Sequence, residues 1–568
     1  MTDTGADLII EGRIATLHAA AGLTWVEALA VGDGRVVAAG SATDVLAVAG
    51  VETTIWRLPT EQIVTPSITD SHPHLAEAAL AAGRPNLTGL DRAAASEVVT
   101  EAHQHLLEAG DPDGWLLGHG WSFDALGEHP DATWLDEAAP GRPVALWAHD
   151  HHSRWLSARA VQLTGLAAHV DPPSGHIERH ADGRPTGVMY EAAAGLVDAA
   201  IPTPTAGDID WAIGAYAHTL AELGVTAVHD PGALAPDPDL SGGAVHYRVM
   251  ARAGRLPLRV IASVRQEQLS RAIEIGFRSG RPFDADGDGP EGADAPEPGG
   301  QGRYRDGWLK LFSDGALGSR TAALLAPYEL DDPAGQPPGG PTGMALLPRA
   351  QLVELAGRAA AAGISSEIHA IGDAAVRSAL DAIGTLPAVP GAMHRVEHAQ
   401  LVHPDDIERF AALGVAASVQ PSHLLSDADA MRAAWGARTA SAFPLAGLER
   451  HGTLMPFGTD APVEAADPWP GIAAAVTRRG QDWSAGTAFV PEQAISLERA
   501  LRGACLDGPR SAHIDDQGHL AVGARADLLV LPAAAFDCPL EAELLATIRP
   551  LATLLDGAVV HQVPDFDP

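Results

Sequence analysis

Residues 62–75 read QIVTPSITDSHPHL. The stretch runs apolar and β-branched through Ile68 and then carries two histidines one residue apart. In an extended chain His72 and His74 project from the same face and can reach one ion. Because the chain holds 25 histidines, an HxH pair says little alone. Its meaning depends on what the rest of the sequence brings beside it.

Seven further runs have the same character: GVTAVHD (224–230), LRVIASV (258–264), WLKLFSD (308–314), GISSEIHA (363–370), MHRVEHA (393–399), GVAASVQP (414–421) and TLMPFGTD (453–460). Ala-rich stretches with helical periodicity, such as 349–362 and 374–384, lie between them. Strand-like runs alternating with helices indicate α/β units on a parallel sheet, and eight such runs predict a (β/α)8 TIM-like barrel over 63–514. The first two runs are too far apart for an ordinary connection, so an inserted subdomain is expected over 80–210. Short strands over 1–62, with a GDGR hairpin signal, are matched in style by 515–568. The two chain ends are expected to build a small β-sandwich domain.

Composition narrows the function classes. The formal net charge is −36 with no basic block, which disfavours nucleic acid and anionic membranes as partners. Only Cys505 and Cys538 are present, so neither a disulfide framework nor a thiolate zinc site is expected. No signal peptide and no membrane span are read, and a cytoplasmic protein is expected. The stretch 283–302 opens like a calcium loop with Asp284, Asp286 and Asp288. Its twelfth position is Ala295, where a bidentate Glu is required, so a solvated loop is expected.

The runs end in residues that bear chemistry. His369, His398 and Asp460 end three of them, and WLKLFSD carries Lys310, the one lysine of the chain. In a parallel barrel the C-terminal strand ends converge on one mouth. Four imidazoles, one carboxylate and one amine would then line a single cavity.

The order HxH, Lys, His, His, Asp resembles the amidohydrolase superfamily, and the wording is similar to its YtcJ-like branch, which includes N-substituted formamide deformylases. The stretches that carry the resemblance are 65–75, 184–193, 310–328, 368–382, 394–423, 457–469 and 526–531. The resemblance implies two divalent metal ions, zinc being the expected one. His72, His74 and Asp460 would hold one and His369 and His398 the other, with a carbamylated Lys310 bridging them. One departure is Pro66-Ser67, where Pro-Gly is common; serine fits only if the backbone there avoids positive φ.

Physical chemistry gives the bridge independent sense. Two divalent cations repel at the ~3.5–4 Å spacing usual for such pairs, and a bridging anion relieves that. Lysine can lose its proton to become a neutral amine, which carbon dioxide converts to an anionic carbamate with release of a further proton, whereas arginine stays charged. The expected reaction is hydrolysis of a non-peptide C–N bond, of amide or formamide type, by a metal-activated hydroxide, with Asp460 as general base and acid. Alternatives are a mononuclear hydrolase or deaminase of the same superfamily, and a non-catalytic metal-binding barrel. The expected partner is a small amide-type molecule, with a homodimer as the oligomer to test for. Trp121, Asp150, His152, Arg320 and His423 are the substrate-contact candidates. Each has a plain competing role: core packing for Trp121, loop capping for Asp150 and His152, a loop carboxylate partner for Arg320.

Overall fold

The computed structural model of the chain describes residues 5–18, 23–232, 243–282, 302–329, 337, 339–480, 487–538 and 540–568. All of the acidic stretch 283–302 except Gly302, including the calcium-like Asp284, Asp286 and Asp288, lies outside the described residues.

Five strands come first: β1 (Ala6–Ala15), β2 (Trp25–Gly32), β3 (Arg35–Gly40), β4 (Ala49–Arg57) and β5 (Gln62–Pro66). Apolar alternation in β1 serves two layers. Leu8, Ile10 and Ile14 pack with Val64 and Val530, while Ile9 packs with Ala28, Ala30 and Val45. The β2–β3 hairpin turns on Asp33 and Gly34, at φ 51° and 71°, the pair of positive φ values that a two-residue turn demands.

The sequence stretch 62–75 proves to be two strands, not one. β5 pairs with β1 and with the C-terminal part of the chain, whereas β6 (Ile68–Asp70) starts the parallel sheet. The break falls where Pro66 supplies no N–H. Ser67 N then turns to Asp527 O at 3.0 Å, and Ile68 N to Gly224 O at 3.0 Å. Ser67 is not among the residues with positive φ, so glycine is dispensable there.

Between β6 and the rest of that sheet lie β7 (Leu116–Trp121), β8 (Val144–Ala148), β9 (Ser153–Leu156), β10 (Gly175–Arg179) and β11 (Pro185–Glu191). They form their own sheet in the order β10-β11-β9-β8-β7, flanked by helices that include Arg92–Glu108 and Ala132–Ala138.

The parallel sheet resumes with β12 (Val225–Asp230), β13 (Arg259–Arg265), β14 (Tyr304–Phe312), β15 (Ser366–Ala370), β16 (Arg395–His398) and β17 (Ala416–Ser418). With β6 they are seven parallel strands in sequential order. The eighth expected strand, 453–460, is corrected: it forms an isolated parallel bridge, Phe457 to Val419, rather than a strand. Pro456 cannot donate, and Gly458 is pressed against His72, where an added Cβ would lie 2.6 Å from the His72 Cβ. The segment nevertheless bonds to both sheet edges. Val419 N donates to Pro456 O and Ser71 N to Phe457 O, both at 2.9 Å.

The chain ends with β18 (Leu528–Pro532), β19 (Ala552–Leu555) and β20 (Ala558–Gln562). β18 pairs antiparallel with β5, Val530 opposite Val64, so one mixed sheet contains strands from both chain ends. Arg259 of β13 donates to both Asp527 oxygens at 2.7 and 2.9 Å, tying that mixed sheet to the parallel one. No helix among the described residues is long and apolar enough to cross a membrane.

Candidate metal centre

The C-terminal ends of the parallel strands and the 453–460 segment meet at one place. Asp460 N donates to His72 O at 2.7 Å, and His74 N to Ala461 O at 2.8 Å. Asp70, ending β6, accepts from Thr459 N at 2.9 Å, Thr459 Oγ1 at 2.5 Å and His72 N at 3.2 Å. These bonds hold the HxH pair against Asp460. His72 Nε2 lies 3.2 Å from Lys310 Nζ and 3.8 Å from Asp460 Oδ1, and His74 Nε2 lies 3.6 Å from the same oxygen. The His398 ring centroid stands 4.5 Å from that of His369, 5.2 Å from His72 and 5.9 Å from His423. All six residues expected at the barrel mouth are buried and adjacent.

Two groups here have the spacing of metal ligands. The ligand atoms of His72, His74 and Asp460 lie within 4.8 Å of one another, and so do those of His398, His423 and Asp460. His423, expected only as a substrate contact, therefore joins the ligand-like set, with Nε2 3.2 Å from Asp460 Oδ2. His369 stands beside it with Nε2 3.1 Å from Gly315 O. Asp460 and His398 both adopt left-handed φ, 62° and 68°, a strain of about 1–3 kcal/mol each that clusters at functional sites.

The electrostatics suit cation binding. Burial pushes His74 down to about 3, and it holds His369 and His398 well below the ordinary imidazole value. Neutral imidazoles are the form that coordinates. Burial opposes ionisation of Asp460, but the His423 hydrogen bond and the surrounding imidazoles outweigh it and hold the carboxyl well below its usual range. Burial also lowers Lys310, against the pull of Glu397 and Glu367. The ring orientations are fixed from behind. His72 Nδ1 meets Glu397 Oε2 at 2.5 Å and His74 Nδ1 meets Gly232 O at 3.0 Å, leaving each Nε2 facing the centre.

A cavity of about 530 Å3 opens onto these residues, with Trp147, Arg265, Phe312 and Leu346 on its walls. Asp150 and His152 line it as well. A smaller recess beside it includes His423, Asp427 and Gln400. Two other candidates are elsewhere. Trp121 is fully buried in the inserted sheet's core, its indole N–H bonded to Leu146 O at 2.9 Å. Arg320 is exposed and lines neither cavity.

The amidohydrolase family profile matches residues 60–561 of this chain. The chain belongs to the amidohydrolase family. Its place in the YtcJ-like branch follows from relatives matched nearly end to end. The Bacillus subtilis protein YtcJ is 29% identical over 88% of this chain and 89% of its own length. An N-substituted formamide deformylase of Arthrobacter pascens is 26% identical over 99% of both chains. LONG AFTER FAR-RED 3 of Arabidopsis thaliana is 29% identical over 94% of this chain and 88% of its own. A metal-dependent hydrolase of Pyrococcus horikoshii, solved by crystallography, superposes with TM-score 0.70 at 26% identity, covering 92% of this chain and 97% of its own.

This amidohydrolase also has residues behind its site that the sequence reading passed over. Arg395, fully buried, donates from Nε to Glu397 Oε1 at 2.8 Å and from Nη2 to Ser71 O and Ser418 Oγ, both at 2.7 Å. Burial opposes the Glu397 charge, yet Arg395 and His72 hold it ionised. The signal was present: HRVEH carries two opposite charges within an otherwise buried strand. The inserted sheet reaches the site too. Glu191 accepts from His152 Nδ1 at 2.9 Å and from Thr321 Oγ1 at 2.5 Å, and Ser153 Oγ lies 2.9 Å from Ser319 Oγ.

Proposed function

We propose that this amidohydrolase hydrolyses an amide-type C–N bond of a small molecule, of the N-substituted amide or formamide class. The observation that carries the reading is the convergence of the buried imidazoles His72, His74, His369 and His398, the Asp460 carboxylate and the sole lysine on one cavity. The donor set fits two divalent ions. His72, His74 and Asp460 would hold one, His369 and His398 the other, and Lys310 would lie between them as a carbamate. Such ions polarise a carbonyl oxygen and lower the pKa of water. Asp460 takes the proton from the attacking water and returns it to the departing nitrogen, giving a carboxylic acid and an amine. His423, bonded to the second Asp460 oxygen, orients that carboxyl. Asp150 and His152 would meet the substrate from the inserted sheet. The eight-unit closed barrel and its division into a 63–514 body, an 80–210 insertion and a composite terminal domain belong to the same proposal.

Lys310 decides it. A burial-weakened ammonium can lose its proton, and the resulting amine can add carbon dioxide at Nζ and release a second proton, leaving a carbamate anion. Lys310→Ala is expected to lose bound metal and activity together, with partial recovery of both in high concentrations of a short carboxylic acid. Lys310→Arg is expected to be as inactive and to resist that rescue. An active arginine variant refutes the bridge. Because the two ligand-like triads share Asp460, a one-metal arrangement is the competing reading. About one equivalent of metal in fully active protein would favour it over about two.

A further inference from the structure

Two cavities meet at the proposed centre, and they differ greatly in size. Asp150, His152, His369, His398, Asp460 and Val463 line both. His72, His74 and Lys310 line only the large one of about 530 Å3, and His423 only the recess of about 40 Å3. One water needs about 10–15 Å3 of such space, so the recess has room for about three non-hydrogen atoms. Its walls are held in place. Leu317, Ile371 and Gln400 are buried. Ile371 N donates to Asp314 Oδ1 at 3.0 Å, while Leu317 O and Gln400 O accept from Arg320 N and Phe443 N at 2.9 and 2.7 Å. The large cavity instead offers the apolar surfaces of Trp147, Phe312, Leu346 and Leu347. An amide whose carbonyl lies at the shared wall places its acyl half in one cavity and its amine half in the other.

Asp460 decides which half goes where. Its Oδ1 lies 3.6 and 3.8 Å from Nε2 of His74 and His72, on the wall of the large cavity. Its Oδ2 lies 3.2 Å from Nε2 of His423, on the wall of the recess. Oδ1 is the oxygen turned to the fellow ligands, which leaves Oδ2 to carry a proton to the departing nitrogen. We infer, resting on the amide-hydrolase reading, that the recess receives the amine. The substrate is then an amide of a small amine, the size of ammonia or methylamine, with its bulk on the acyl side in the large cavity. Water gives its oxygen to the carbonyl carbon and its proton, through Asp460, to the nitrogen as the C–N bond breaks. Gln400 and Asp427, joined from Nε2 to Oδ2 at 2.6 Å, give the recess polar groups to which an amine can hydrogen-bond. Among N-substituted amides, a bulky acyl group is favoured over formyl.

N-methyl-4-phenylbutanamide and N-(3-phenylpropyl)acetamide are isomers that exchange the same two groups across the amide, and they form the test pair. Metal-replete protein is expected to favour the N-methyl isomer by at least about 100-fold in kcat/KM, since even one methylene that does not fit costs about 10- to 200-fold. An acetamide hydrolysed as fast or faster overturns the inference and leaves the amide reading standing. If neither isomer is hydrolysed, both fall. Leu317→Ala should enlarge the recess and raise the rate on N-propyl-4-phenylbutanamide relative to its N-methyl homologue by about 10-fold. A partly unfolded sample lowers both rates and leaves that ratio alone. An unchanged ratio removes Leu317 from the amine pocket and overturns the assignment. Calorimetry on chelator-treated protein reads the recess without turnover. The N-methyl compound should bind at least about 10-fold tighter than the N-propyl one, with the gap narrowed in Leu317→Ala. Equal binding of the two by the parent protein overturns the small recess.

Discussion

Glu397 is fully buried between Arg395 and His72, with one oxygen 2.8 Å from Arg395 Nε and the other 2.5 Å from His72 Nδ1. It does two jobs with one charge: it balances a buried arginine and fixes which nitrogen of His72 faces the centre. Glu397→Gln preserves the shape and removes the charge. Leaving Arg395 buried without an anion is expected to cost about 3–5 kcal/mol in unfolding free energy. Loss of the hydrogen-bonded support behind His72 should weaken metal binding by about 10- to 100-fold. Denaturant unfolding and competition with a chelator measure the two effects; unchanged values in both would remove Glu397 from the site. The convergence of His72, His74, Lys310, His369, His398 and Asp460 was legible in the sequence because each lies in or at the end of a run of recognisable strand character, whereas His423 was expected only as a substrate contact. The supports were not legible, because Glu397 and Arg395 act across strands, and sequence spacing does not reveal which buried charges face each other.

The 453–460 segment shows why an element can be essential without being a strand. It bonds to β17 on one side and to the β6 end on the other, and it delivers Asp460 to His72. Gly458 allows this approach, since any Cβ there would lie 2.7 Å from His72 N. Gly458→Ala adds a single methyl that must push the segment off the β6 end. Overpacking of this kind costs about 1–3 kcal/mol. The expected result is a lower melting temperature together with lower metal occupancy, read by calorimetry and elemental analysis. Normal occupancy with reduced stability would mean that the segment tolerates displacement. Seven of the eight expected runs contain strands of the parallel sheet, but apolar character could not show that 62–75 changes sheets at Pro66. That switch depends on Asp527 and Gly224, whose carbonyls receive Ser67 and Ile68 and which lie far away in sequence. The meeting of the two chain ends through β5 and β18 was likewise an expectation of style, and pairing made it physical.

At the scale of the whole molecule, the buried histidines set opposing demands on pH. His74 has a folded-state value of about 3 against an ordinary 6.5, with His369 and His398 displaced in the same direction by burial. Between those values the unfolded chain binds protons that the folded chain refuses, so stability falls as pH drops from 6.5 toward 3. His152 and His423 behave oppositely. Burial disfavours their charge, but Glu191 beside one and Asp460 and Glu464 beside the other raise both to about 9. Their contribution is complete below 6.5 and disappears as pH rises through 9. In protein stripped of metal the summed contribution of these five imidazoles therefore peaks near pH 6.5, while Asp70, Asp230, Asp306 and Asp314, raised by burial to about 6–7, oppose the acid limb because they lose stability as pH rises toward those values. Each fully displaced imidazole adds a slope approaching about 1.4 kcal/mol per pH unit on the acid limb. Divalent ions bind the neutral imidazoles and the Asp460 carboxylate, so metal should stabilise more strongly as pH rises and move the maximum upward. Melting curves from pH 5 to 9, with chelator and with added zinc, measure this. A profile that metal leaves in place would show that these imidazoles do not couple the centre to the stability of the fold.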